Sequence, residues 1–574
     1  MRKLLIYLEP YRPTIGLVVL LLFLQALCQL YLPTLMADIV DIGIAQGDIV
    51  FIIRVGAVML LVALIGAAFT VAGGYYSAKV AMGLGKDLRS AVFTRIEGFS
   101  LQEFNRFGTS SLITRTTNDI TQIQQVVLML LRMMVLAPVM AVGGIVMAVS
   151  KNAELSLIMV VVIPILGLGV WVISRKVIPL FRLVQERVDK LTLVLRERLT
   201  GVRVIRAFNR DAHEQQRFTA ANRDLTTMAI TVNRIMAGMM PLMMLVMNLT
   251  TIAIVWFGGF KIEAGRMQVG DLMAFIQYGM NIMFSFVMAS MILAMLPRAS
   301  ASLSRVAEVL EVTPLIVDPP VAKSGDQRGV VEFREVTFSY PGAEKPTLCR
   351  ISFTARPGEM TAIIGGTGSG KSALVSLIPR FYDVDQGAVL VGGVDVREWN
   401  QADLRARIGF VPQNPVLFSG TIADNIRVGK EDASEAEIQR AAEIAQAAEF
   451  IAELKDGYAA TVAQGGTNLS GGQKQRLAIA RVILRRPEIY VFDDSFSALD
   501  YKTDAKLRLA LKEATKDATV IIVAQRVSTV MNADQIIVLD EGRIAGIGTH
   551  AELYRTCQVY REIVASQLSE EELA

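Results

Sequence analysis

Histidine is almost missing from this chain of 574 residues: His213 and His550 are all there is. Cysteine is hardly commoner. Cys28, Cys349 and Cys557 are odd in number and far apart, which argues against a disulfide framework and a cysteine-held metal site. An excess of one charge is lacking too, since 58 basic residues face 54 acidic ones, and a net +4 on this length does not point to nucleic acid. Charged residues make up 20% against 52% hydrophobic, and the mean hydropathy is +0.44. That balance excludes disorder and speaks against a wholly soluble protein.

The hydrophobic excess lies in the first half. Six stretches, 14–35, 51–75, 126–149, 155–174, 235–258 and 271–296, are apolar enough to span a hydrocarbon core. Each is read as a helix, because only a helix satisfies its own backbone hydrogen bonds in lipid. A cleaved signal peptide is disfavoured for the first stretch, which is long and lacks a small-residue cleavage pattern. Lysine and arginine set the orientation. Intervals 38–50, 151–154 and 259–270 hold only Lys151, Lys261 and Arg266, whereas 76–125 and 175–234 hold 6 and 13 basic residues. The two basic intervals and both termini are therefore expected on the cytoplasmic side of the cell membrane. Both intervals are too long for loops, and their periodicity predicts transmembrane helices that continue into the cytosol, turn and return. The turns, 100–107 and 201–210, mix basic and aromatic residues. They read either as a solvated basic face near anionic head groups or as docking elements for a cytoplasmic domain.

Beyond Pro297, residues 298–312 read as one further charged helix. Pro314, Pro319, Pro320 and Gly325 mark 313–329 as a linker after a transmembrane domain of 1–312, and 330–574 has the alternating strands and helices of an α/β domain. There the strand 360–364 runs into Gly365-Gly-Thr-Gly-Ser-Gly-Lys-Ser372 and then a helix, the required setting for G-x-x-x-x-G-K-[ST]. Gly365, Gly366, Thr367, Gly368, Ser369 and Gly370 can aim successive backbone N–H groups at phosphate oxygens. Lys371 can supply a charge to β and γ phosphates, and the Ser372 hydroxyl suits Mg2+. The apolar strand 489–492 ends in Asp493-Asp494, where one carboxylate can hold Mg2+ and the next orient an attacking water. Leu469-Ser-Gly-Gly-Gln473 opens a helix over 474–484, a second helix start suited to an anion. Two such starts do not fit one phosphate, so two copies of the domain are expected to share ligands.

In order along the chain, Tyr340, the phosphate loop, Gln413, the signature Ser470-Gly471-Gly472-Gln473, Asp493 and Ser497-Ala-Leu-Asp500 resemble the ATP-binding cassette family over nearly the whole length. The architecture is similar to an exporter half-transporter: a membrane all-α six-helix domain with long cytoplasmic helical extensions, fused to an α/β P-loop ATP-binding cassette domain. The resemblance implies ATP and Mg2+ as cofactors and ATP hydrolysis coupled to transport. It implies Tyr340 stacked on adenine, Mg2+ held by Ser372, Gln413 and Asp493, and Gln413 as the γ-phosphate sensor. Ser470 to Gln473 would meet ATP held by a second cassette subunit, Asp500 would be among the nucleotide-binding residues, and the segments around Phe104 and Val204 would be coupling helices. The lipid bilayer and a transported molecule complete the implied partners, with no nucleic acid.

Two positions depart from the family pattern. The residue after the Mg2+ aspartate is normally Glu and is Asp494 here, and the switch position after the next strand is normally His and is Gln525. An aspartate carboxylate sits about 1 Å farther from the water, a displacement that can cost roughly 10²-fold in rate. Glutamine can donate a hydrogen bond but neither takes a proton nor carries charge. Both departures fall on the site built around Lys371, while the signature is intact. The chain thus resembles the degenerate-site subunit of bacterial heterodimeric multidrug exporters, and its partner is expected to carry Glu, His and an altered signature. A homodimer with slow ATPase is the alternative.

On the last span Met273, Gln277, Met280, Phe284, Met288, Met291 and Met295 fall three and four apart, one stripe of flexible side chains suited to several apolar ligands. Ordinary helix packing or lipid contact is the competing reading. Gln25, Gln29, Asn248 and Asn281 are polar groups within spans and are expected to face the interior. The spans carry no acidic cluster, so a lipophilic drug, lipid or peptide is expected before a metal or a multiply charged substrate. A lipid flippase and an ATP-gated channel or regulator share these motifs, whereas an importer is disfavoured by the fusion of spans and cassette.

Overall fold

The computed structural model describes residues 6–567, without the side chains of Val170, Ile173, Ser174 and residues 290–299. Contacts divide it into two units, Met1–Glu97 with Thr109–Val312, and Gly98–Gly108 with Thr313–Ala574. The helices of the first half are α1 (Arg12–Asp38), α2 (Ile49–Glu97), α3 (Leu101–Phe107), α4 (Thr109–Thr114), α5 (Ile120–Lys151), α6 (Leu157–Thr200), α7 (Val202–Ala207), α8 (Asp211–Glu263) and α9 (Val269–Glu311). Helices α2, α6, α8 and α9 hold 49, 44, 53 and 43 residues. At ~1.5 Å per residue they are about twice as long as a ~30 Å hydrocarbon core requires, which is the extension expected from the basic intervals.

Among the described residues five helices are long and apolar enough to cross a membrane. The remaining expected span, 155–174, opens α6, whose described apolar part is Leu157–Gly169; Val170, Ile173 and Ser174 lie outside the described side chains. One expectation is corrected. Residues 298–311 are not a separate helix but the end of α9, which runs past Pro297 because the Ala-, Ser-, Leu- and Glu-rich sequence beyond it sustains the helix around one missing N–H.

Small residues let α1, α5 and α9 approach closely: a Cβ at Gly144 would come within 2.8 Å of Ile282, and one at Gly143 within 2.3 Å of Leu30. Tyr278, fully buried, shares a 2.7 Å hydrogen bond with Thr34. Asp41 accepts the backbone N–H groups of Gly270 and Asp271 at 2.6 and 3.1 Å, satisfying two of the free donors at the start of α9, and Lys151 pairs with Asp271 at 2.7 Å. Toward the other end, the buried Asp119 accepts from Ser302 at 3.0 Å and from Nε of Arg305 at 2.7 Å, and also meets Nη2 of Arg305. Arg305 is 47% exposed while Asp119 is 4% exposed. Removing the arginine strands a buried carboxylate, whereas removing the aspartate leaves a cation in water. Arg305→Ala is therefore expected to cost about 1–3 kcal/mol and Asp119→Ala less, with the double variant milder than the sum, as read by thermal unfolding in detergent.

In the second unit, Ser100 caps α3 and Glu103 completes a capping box, its carboxylate also accepting the Leu315 N–H at 3.1 Å. An antiparallel sheet has the order β2 (Leu348–Ala355), β1 (Val331–Phe338), β4 (Gln386–Val391) and β5 (Val394–Asp395). The main sheet has the order β12 (Arg543–Gly548), β11 (Gln535–Asp540), β3 (Met360–Gly365), β10 (Thr519–Val523), β9 (Ile489–Asp493) and β6 (Ile408–Val411). A short pair, β7 (Gly420–Thr421) and β8 (Thr461–Val462), stands apart. Strands β11, β3, β10, β9 and β6 run parallel, and Ile363, Ile364, Val491, Phe492, Ile521 and Ile537 among them are buried, as a sheet covered on both faces requires.

Candidate nucleotide site

The parallel order determines the site. Strands β3, β10, β9 and β6 are neighbours, and the residues just past their carboxyl ends are the phosphate loop, Gln525, Asp493-Asp494 and Gln413. Loops at the carboxyl ends of adjacent parallel strands converge on one crevice, and four stretches distant in sequence meet there. Gly370, at φ +96°, precedes α10 (Lys371–Ser376), and Gly368 is also left-handed at φ +84°. A Cβ on Gly365 would come within 2.1 Å of the Leu539 carbonyl, so only glycine fits beside β11. The spaces a Cβ would take at Gly366 and Gly368 are open, which leaves the loop approachable from that side.

The residues fit a nucleotide phosphate. The Ser369 hydroxyl oxygen is buried in the loop without a partner, a polar atom in want of one. Lys371 Nζ donates to the Gly365 and Gly366 carbonyls at 2.9 and 2.7 Å, and its half-burial pulls the ammonium pKa down although Asp494 and Asp493 oppose this. Ser372 Oγ donates to Asp493 Oδ1 at 2.9 Å, placing two hard oxygen donors together as Mg2+ requires. Burial raises the Asp493 carboxyl above its ordinary value, with Asp494 adding to it against the Ser372 bond and the Lys371 charge. Among the described residues no cluster of three His, Cys, Asp or Glu side chains could hold a metal by itself.

Asp494 follows β9 in a left-handed conformation, φ +47°, with its N–H donating to the Val523 carbonyl at 3.0 Å. Its Oδ2 accepts from Gln525 Nε2 at 2.8 Å and Gln413 Nε2 at 3.4 Å. Two neutral amides thus bracket this carboxylate, and burial raises its pKa. The two departures from the family pattern are hydrogen-bonded to each other.

Residues 15–287 match the ABC transporter transmembrane region and residues 348–497 the ABC transporter domain. An ABC transporter ATP-binding protein of Mycobacterium tuberculosis is 47% identical over 98% of this chain and 97% of its own. The chain belongs to the ABC transporter family. It is an ABC exporter, with an N-terminal transmembrane domain fused to the cassette. A multidrug efflux ATP-binding/permease protein of Mycobacterium bovis is 35% identical over 88% of this exporter, which spans 42% of that longer chain. An ATP-dependent lipid A-core flippase of Aromatoleum aromaticum is 34% identical over 87% and 83% of the two chains. A solved bacterial Atm1-family ABC exporter with ATP bound superposes with a TM-score of 0.82 at 26% identity, covering 98% of this chain and 99% of that one. ATP-driven transport across a membrane follows from this membership.

The exporter's signature lies in a second group of residues. Ser470 caps α11 (Gly471–Arg485) in a capping box with Gln473, and a Cβ on Gly472 would come within 3.0 Å of the Ala498 carbonyl. Asp500 caps the helix Tyr501–Ala514 through the Thr503 N–H at 2.9 Å. Ser497 joins the two groups, donating to the Asp494 carbonyl at 3.0 Å. Tyr340, 38% exposed, stands edge-on to Phe338 at 5.1 Å and to Tyr382 at 5.4 Å.

Three residues escaped the sequence reading. Tyr382 supports Tyr340 and accepts from Asn105 of α3 at 3.4 Å; Gln475 accepts from the Ala498 N–H at 3.3 Å; Glu103 ties α3 to the linker. Only Glu103 carried a local signal, the Ser-x-x-Glu of a capping box. On α9, Met273, Gln277 and Phe284 are exposed and Met280 and Met288 half-buried, on a face other than that of the buried Phe275, Tyr278 and Ile282. Met291 and Met295 lie outside the described side chains.

Proposed function

We propose that this exporter moves lipophilic small molecules outward across the plasma membrane, multidrug fashion, as one half of a heterodimer whose own ATP site is slow. The observation that carries the reading is the Asp494–Gln525 hydrogen bond at 2.8 Å, occupying the place where the family keeps a longer carboxylate and a histidine. Both termini and the cassette, beginning near residue 330 after the linker 313–329, are cytoplasmic. Ser372, Asp493 and Gln413 would hold Mg2+, which when bound would supply positive charge against the phosphates. Lys371 fixes the β and γ phosphates, Tyr340 stacks on the base, and Asp494 orients the water that attacks. The intact Ser470–Gln473 signature and Asp500 serve the competent site of the partner. Helix α7 and the residue after it fit the second coupling element, since Val204 and Phe208 are 61% and 73% exposed.

The multidrug relative and the face of α9 with Met273, Gln277 and Phe284 exposed favour a broad lipophilic substrate; the flippase relative keeps a lipid as the second reading. Co-expression with the cassette gene adjacent to this one, scored for complex formation and ATP-dependent dye efflux in inverted vesicles, tests the proposal. A stable complex that exports dye is expected. A neighbour without a cassette, or efflux by this chain alone at full rate, contradicts it.

A pH dependence follows from Asp494. Its pKa is raised, so the ionised form that can orient water is lost at a higher pH than for an ordinary aspartate as the solution is acidified. The acid limb of single-turnover hydrolysis at this site is expected at a higher pH than an ordinary aspartate would give, and absent in Asp494→Asn.

A further inference from the structure

Arg132 is an ionised side chain within the third apolar stretch, 126–149, and it is exposed in this chain with no hydrogen-bond or ion-pair partner among the described residues. It lies six residues past the start of that stretch, so its Cα is about 9 Å along the helix from the boundary. A charge at such depth is costly and is normally turned to a bundle interior or a water-filled cavity.

The side chain has a built resting place. Its Nη2 lies against Gly74 of α2, where a Cβ would come within 2.4 Å, and the preceding Gly73 packs on Leu22 and Leu21 of α1. Gly66, two turns farther along α2, faces Cys28. Gln25 therefore stands between these two crossings, about one helical turn from the Gly74 level. Its Oε1 is buried with no donor. Among the described residues, a cation without an anion and an acceptor without a donor thus stand about one helical turn apart along the axis, and the exposed Tyr75 ring, edge-on to Tyr76 at 5.3 Å, follows directly after Gly74.

We propose that Arg132 is the head-group contact of the transported molecule, and that the exporter prefers amphiphiles carrying one negative charge over neutral or cationic ones. The inference rests on the proposed export of lipophilic molecules and narrows their class. A guanidinium gives a sulfonate, phosphate or carboxylate two parallel donors, and the tail would lie on the apolar wall of the spans. A Cβ at 74 would meet only the tip of this flexible side chain, which can swing aside, so the head-group contact is carried by Arg132 itself.

The test uses the exporter with the subunit that completes its cassette dimer, in phosphatidylcholine vesicles free of anionic lipid. The probes are a fluorescent dodecyl sulfonate, the matching alcohol and the matching trimethylammonium; butane sulfonate tests whether the anion alone suffices. Preference for the dodecyl sulfonate over the alcohol is expected, with no response to butane sulfonate. Arg132→Gln should cut that preference roughly tenfold or more, and Arg132→Lys should retain part of it. Unchanged sulfonate preference in Arg132→Gln, or a wild-type exporter that moves the alcohol or the trimethylammonium as well as the sulfonate, overturns the inference and leaves lipophile export standing. Failure of every tailed probe, in a preparation that still hydrolyses ATP, overturns both.

Discussion

Asp494→Glu combined with Gln525→His should raise ATP turnover by the isolated chain about 10²-fold above a near-background wild type. The argument is geometric. Asp494 sits where a longer carboxylate is normal, its Oδ2 drawn to two side-chain amides, at 2.8 Å from Gln525 and 3.4 Å from Gln413. An extra methylene carries the carboxylate about 1 Å toward the water, and a histidine supplies a group that can take a proton, which glutamine cannot. Glutamate meets a left-handed backbone at this position, φ +47°, a conformation that costs about 1–2 kcal/mol for an ordinary L-residue. That cost falls on stability and leaves the carboxylate's reach unaffected. Each single variant should recover less than the pair, because the two side chains share one hydrogen bond. Steady ATPase assays on the four proteins read this directly.

Lys371→Ala should weaken ATP binding to this chain by about 10²-fold and remove ATP-driven transport by the assembled exporter. The ammonium is half-buried, held by the Gly365 and Gly366 carbonyls, and lies beside Asp493 and Asp494, which favour its charge. Taking it away leaves those two carbonyls without their donor and the two carboxylates without their counter-charge at the point where phosphates bring more negative charge. Titration with a fluorescent ATP analogue measures the first effect and vesicle efflux the second. Lys371→Arg is not expected to rescue, because a planar fork does not fit a loop shaped around a point charge.

The site was legible to the extent that it is local. The phosphate loop announces itself by glycine spacing after a strand, and Asp493-Asp494 by the wholly apolar run of β9 before it, since a buried parallel strand leaves no other polar residue near its end. What brings Gln413 and Gln525 to Asp494 is strand order, β10–β9–β6, which no window of sequence contains. The same holds for Gln475 and Tyr382, whose partners Ala498 and Tyr340 lie 23 and 42 positions away. Among the helices, hydrophobic length marks six apolar stretches, five of which lie in described helices long and apolar enough to cross a membrane, and Pro297 reads as a break because a proline's local cost is visible while the helix-forming run beyond it has to be weighed against it. Arg132 leaves little trace in the sequence, because one charge hardly lowers the mean hydropathy of a long apolar stretch; the approach to Gly74 on another helix is visible only in the fold.

The central claim is that this chain owns a slow site and lends its signature to a partner. ATP turnover by the purified wild-type chain, measured beside Lys371→Ala, tests it most directly. The account predicts two nearly equal rates close to background. Brisk hydrolysis by the wild type that Lys371→Ala abolishes would contradict it.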